Sequence, residues 1–213
     1  MLNKAILLSG ICMLLVSCAV MVNGPEDDEQ GGGIVNPPVI NQRVRIQTKK
    51  MFPFENNRNW WNYTESSGNK LEMRVTDTIS DDDIMYYRVA FRELRVDTTD
   101  DWFKSSPSGN IMFGQSLTGM YDQFLPREID SLNGSFSCGM NTVRYNYYDS
   151  LVSGGVMYHK VLRLKYDYPV IHGFEEILLA ERIGIIKMVD YNGRWPVNYL
   201  LDSCSVDDTV IRF

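Results

Sequence analysis

Hydrophobic and polar positions alternate along most of this chain. Val44, Ile46 and Thr48 alternate with Arg43, Arg45 and Gln47. A period of two turns one face of a strand to a core and the other to solvent. Leu71, Met73 and Val75 repeat the pattern against Glu72 and Arg74. The turn-forming run Ser80-Asp81-Asp82-Asp83 follows. A longer stretch then places Met85, Tyr87, Val89 and Phe91 on one face and Tyr86, Arg88 and Arg92 on the other. Leu94 and Val96 come next at an odd offset. A slip of one residue in a period of two marks a β-bulge, expected at Arg92 and Glu93.

Residues 105–110, Ser-Ser-Pro-Ser-Gly-Asn, form a turn cluster before a short strand at 111–113. Residues 142–148 and 156–166 predict a hairpin around Ser153-Gly154-Gly155. In its second arm Val156, Tyr158, Leu162, Leu164 and Tyr166 share a face that Lys160 interrupts. Residues 115–141, rich in Gly, Ser and Asn, show no clear period, and 126–132 suits a short helix.

Residues 174–191 read two ways. Glu175 to Arg182 has helix propensity, whereas Ile183-Gly184-Ile185-Ile186-Lys187-Met188-Val189 is β-branched and strand-like. Asn192-Gly193 predicts a hairpin turn, a return through 195–206 and an edge strand at 210–213. The sum is eight to eleven strands with at most one or two short helices. That predicts an all-β, mainly antiparallel fold: a curved sheet, half-barrel or sandwich.

The first residues follow another rule. Lys4 is the only charge before an apolar stretch from Ala5 to Val16, broken by Ser9 and Gly10 and closed by Ser17. At roughly 12 residues the stretch is shorter than the ~20 of a membrane span and has the parts of a cleavable signal. Leu15-Val16-Ser17-Cys18 resembles the bacterial lipobox. The resemblance implies cleavage before Cys18, lipid on its thiol and acylation of the new amine. More than one acyl chain anchors a protein stably at a membrane.

The chain thus divides into a lipoprotein signal peptide at 1–17, a lipidated flexible tether at 18–39 and a single β-rich domain at 40–213. The tether holds Glu26-Asp27-Asp28-Glu29, Gly31-Gly32-Gly33 and Pro37-Pro38, a composition that buries too little apolar surface to order itself. About 20 such residues reach roughly 25 Å. Its acidic run begins well after Cys18, which leaves open whether the domain faces the periplasm or the cell surface. Either way the expected location is the bacterial envelope, lipid-anchored, most simply at the outer membrane of a Gram-negative cell.

Charge then narrows the partners. Of 21 basic and 27 acidic residues, Lys4 leaves with the leader and four acids lie in the tether. The domain is near neutral and slightly acidic, without the basic footprint of a nucleic-acid binder. Cys12 is lost with the leader and Cys18 takes the lipid, leaving Cys138 and Cys204. In an oxidising compartment they are either a disulfide or two separate buried thiols. A bond would close a loop of about 67 residues, worth roughly 4 kcal/mol.

Phe52-Pro53-Phe54, followed by Trp60-Trp61-Asn62-Tyr63, is similar to an FPL…G..W.Y opening. Tyr158, Val161, Leu162 and Leu164, with Leu179-Ala180-Glu181-Arg182-Ile183-Gly184-Ile185-Ile186-Lys187, resemble F..V..V followed by A.GVGLVK, with Arg182 where that pattern has Gly. Over residues 50–190 the chain resembles uncharacterised bacterial envelope lipoproteins with a lipoprotein-carrier-like half-barrel. The resemblance implies a β-fold and offers no catalytic residue.

The side-chain inventory argues against an enzyme. His159 lies in a strand and His172 in a loop. There is no G-x-S-x-G, H-E-x-x-H or phosphate-binding glycine loop. Cys138 has no base near it in sequence. Aspartates at 81–83, at 97, 100 and 101, and at 207–208 match no EF-hand spacing and suit turns, so neither metal nor cofactor is expected. Adjacent Trp60 and Trp61 must face opposite ways in a strand.

Three functions follow in order. The first is non-enzymatic binding of an apolar or lipid-like ligand in a groove of Tyr, Met and Leu. The second is a structural adaptor docking on an envelope protein or surface glycan, with a filled core. The third, a hydrolase, requires a cleft of perturbed carboxylates.

Overall fold

The computed structural model describes residues 44–93, 99–168, 174–191 and 196–213. These residues are all-β and antiparallel. They form fifteen strands and one 3-10 turn, with no α-helix among the described residues.

β1 (Ile46–Gln47) runs into the 3-10 turn Thr48–Met51. A meander follows: β2 (Trp60–Glu65), β3 (Lys70–Asp81), β4 (Ile84–Glu93), β5 (Thr99–Ser105), β6 (Ile111–Gly114) and β7 (Asp122–Leu125). β8 (Glu128–Ile129) pairs with β1. A second meander is β9 (Asn133–Cys138), β10 (Asn141–Ser153), β11 (Val156–Tyr166), β12 (Glu176–Ala180), β13 (Gly184–Asp190) and β14 (Val197–Val206). β2 pairs with β14, so both meanders join into one sheet with β7 at one edge and β9 at the other. The sheet curls until these edges meet: a Cβ on Gly139, just after β9, would lie 2.6 Å from Asp122 Oδ1 in β7. β15 (Thr209–Arg212) adds to β14 beside the main path.

Tight two-residue turns set the register. Asp82 and Asp83 have φ of 44° and 67°, Gly154 and Gly155 59° and 83°, and Asp207 and Asp208 49° and 61°. Two successive left-handed residues match the twist of the flanking strands, and Gly and Asp tolerate them. The carboxylate pairs at 82–83 and 207–208 are therefore turn residues.

Alternation builds the core as expected in β3 and β4, where Leu71, Met73, Val75, Tyr87, Val89 and Phe91 are all buried. Against β3, no bulge falls at the expected place. Arg92 and Glu93 pair regularly with Glu72 and Leu71, and the register shifts between Val75 and Asp77 in the partner strand. Thr76 is the extra residue, and its hydroxyl donates to the Arg88 carbonyl at 3.3 Å. Leu94 and Val96 lie outside the described residues, as does the Asn192-Gly193 turn. No helix forms at 126–132, where β8 lies. The ambiguous 174–191 stretch is two strands, β12 and β13. All five residues of β12 are buried, and a strand covered on both faces loses the alternation that would have marked it.

The segment from Thr48 to Phe54 fills the interior. Phe52 packs 4.8 Å from Phe103 and 5.5 Å from Phe124, between ring centroids. Phe54 lies 5.1 Å from Trp61 and stacks on Phe103 at 5.5 Å. Polar ties hold this plug. The buried Asn59 donates to the Pro53 carbonyl at 2.6 Å and accepts from the Asp207 amide at 3.0 Å. Thr48 donates its hydroxyl to the Pro126 carbonyl and its amide to that of Arg127.

Near Gly184, β13 lies apart from β14; the two pair only through Lys187–Asp190 of β13. Side chains of β2 serve the carbonyls left there. Trp61 Nε1 donates to Ile183 O at 2.6 Å, and Tyr63 Oη to Ile185 O at 3.0 Å. Trp61 is fully buried and Trp60 half-buried, facing opposite ways as adjacent strand residues must.

Candidate functional surface

The concave side of the sheet is packed with aromatic rings, and two clefts that open at the surface have walls more apolar than polar, with charged residues among their lining. One of about 400 Å³ lies over Asn62, Lys70, Glu72, Arg92 and Asp202. There Lys70 Nζ pairs with Asp202 Oδ2 at 2.6 Å and, together with Thr64, lowers the Asp202 pKa. A smaller one of about 260 Å³ has Val156, Tyr158, Ile186, Leu200 and Phe213 as its apolar floor, with Glu65 and Asp202 at its rim.

Cys138 ends β9 and Cys204 lies in β14; both are free, buried thiols. The disulfide considered for them is not formed. β10, β11, β12 and β13 separate their strands in the sheet, whereas a disulfide needs Cα atoms within about 7 Å. Burial pushes each thiol up to about 11, with Asp122 adding to the rise at Cys138. That is the reverse of an activated nucleophile. His159 is an exposed strand residue. Cys18, His172, Trp195 and Asp97 lie outside the described residues. No group of three or more His, Cys, Asp or Glu side chains converges among the described residues.

Two features escaped the sequence reading. Asp101, 7% exposed in β5, has Oδ2 buried without a hydrogen-bond partner. Burial first, and the neighbouring Asp100 second, push its pKa up to about 7. Asp101 shares the parity of the buried Phe103, which was the available signal. The second is a cationic corner. The Arg182 amide donates to the Lys50 carbonyl at 2.8 Å, bringing two exposed cations together. Only the folded backbone makes them neighbours.

Apolar side chains also remain outside. Met120 is 89% and Met140 fully exposed. They stand beside Asp122 and Gly139, which face each other across the β7–β9 seam. Nearby, Lys104 Nζ lies 4.0 Å from the Tyr121 ring centroid. No family model matches this chain, nor does any curated protein or solved structure.

Proposed function

We propose that this protein is a bacterial envelope lipoprotein, anchored by lipid on Cys18, whose β-domain is a non-enzymatic docking module for a partner protein. The observation that carries this reading is the filled interior. Phe52, Phe54, Phe103 and Phe124 occupy the space in which a carrier would hold its cargo. Binding then falls to the outer surface, which favours docking over carriage of an apolar ligand. Exposed Met120 and Met140 beside the seam support it, because long, polarisable side chains adapt to a partner's contours.

The lipobox-like Leu15-Val16-Ser17-Cys18 supports the anchor, and the likeness of 50–190 to carrier-like envelope lipoproteins supports the setting. The raised thiol pKa values favour a non-enzymatic role. The test is a photo-crosslinking residue placed in cells at Met120 or Met140, with exposed Val152 as control. Docking predicts the same discrete protein adduct from both methionine positions and none from Val152. Crosslinks to lipid alone, or no adduct from either methionine position, contradict it. Cys18→Ser should release the protein from the membrane fraction.

A further inference from the structure

Two cations that are neighbours in the fold have no ion-pair partner among the described residues. Lys50 lies in the 3-10 turn Thr48–Met51, and Arg182 is central in the β12–β13 connection. The bond from the Arg182 amide to the Lys50 carbonyl, 2.8 Å, locks the two backbones together. Adjacent cations are already engaged: Lys49 pairs with Glu55 at 2.5 Å and Lys160 with Glu181 at 2.7 Å. Neither Lys50 nor Arg182 forms an ion pair among the described residues.

Both line one open cleft of about 520 Å³, with Phe52 and Pro53 as its apolar wall and Glu55 and Asp207 at its rim. Lys49 offsets Glu55, which leaves two cations facing one carboxylate. Arg182 is held at φ 64°, a left-handed conformation that glycine adopts freely and that a long side chain adopts at some cost, as Lys160 also does at φ 53°. The turn needs only that backbone conformation; the arginine side chain adds a guanidinium to the cleft that Lys50 also lines.

We propose that Lys50 and Arg182 form a binding site for a phosphate group. A guanidinium meets two phosphate oxygens with its planar fork, and an ammonium adds a point charge with rotatable donors. Phe52 and Pro53 give the carbon portion of a phosphate ester an apolar wall. The same chemistry is offered by a lipid headgroup and by a soluble phosphate. The site goes beyond the docking role, and its geometry needs no membrane anchor.

The test is amine acetylation of the full chain, with Lys50 quantified by peptide mass spectrometry against Lys165, which is exposed and outside the cleft. Two probes are added separately at matched ionic strength: millimolar inorganic phosphate, and phosphatidylglycerol vesicles diluted in phosphatidylcholine. A several-fold loss of Lys50 acetylation is expected with at least one probe, and Arg182→Gly should abolish it. Glycine suits φ 64°, so this variant keeps its fold, which its melting temperature verifies. Protection by vesicles alone identifies a headgroup, and protection by inorganic phosphate identifies a soluble source. Unchanged Lys50 acetylation with both probes, or protection that persists in Arg182→Gly, overturns the site.

Discussion

Tyr63 donates its phenol to the Ile185 carbonyl at 3.0 Å, two strands away in the sheet and fully inside the fold. The bond exists because β13 and β14 pair only at one end. In that interval a side chain does the work of a ladder partner.

Removing that hydroxyl should therefore cost more than the loss of an ordinary surface contact. Tyr63→Phe keeps the ring and leaves a buried carbonyl unpaired, a loss of about 1–3 kcal/mol. Chemical denaturation is expected to show a lower midpoint with an unchanged slope. An unchanged midpoint would mean that the Ile185 carbonyl finds another donor.

The aromatic plug predicts a larger effect. Phe54 is fully buried between Trp61 and Phe103. Phe54→Ala should cost about 3–5 kcal/mol, through lost transfer energy and the cavity left behind. Thermal melts of both variants check this, and exposed Met140→Ala should cost almost nothing.

Asp101 makes stability depend on pH. Its folded pKa of about 7 lies above the ordinary carboxylate value, so the folded state keeps a proton that the unfolded chain has lost. The contribution of Asp101 to stability is full below about pH 4, falls as pH rises toward 7, and levels off above it. The fall is on the order of 4 kcal/mol. Asp101→Asn should remove most of it, and the difference between the two pH–stability curves isolates this residue. Parallel curves would contradict the assignment.

Cys138 and Cys204 should behave as inert thiols. Both are buried, with pKa values pushed up to about 11. Iodoacetamide should leave them unmodified in the native protein and modify both in denaturant. A reductant should not shift the melting temperature. A shift on reduction would reveal a bond.

The sequence and the fold agree where local physics decides. Alternation marked β3 and β4, and Gly154-Gly155 marked its hairpin, because strand parity and left-handed turns are written in neighbouring residues. They part where distant contacts decide. β12 carries helix-favouring residues, yet burial on both faces makes it a strand. The bulge at Thr76 comes from the pairing of two strands and leaves no trace in the alternation of β3 alone, whereas the phase slip after Phe91 rests on residues outside the described ones. The cationic corner depends on a bond between Arg182 and Lys50, far apart in sequence. Phe52-Pro53-Phe54 was legible as a motif; its place inside the curled sheet was not, and that place argues against carriage.

The most direct measurement is native mass spectrometry of the protein extracted from envelopes. The expected species is a chain beginning at Cys18, heavier by its covalent lipid, with two free thiols and no small molecule released on denaturation. A lipid-sized ligand that leaves when the chain unfolds would contradict the filled interior and restore the carrier reading.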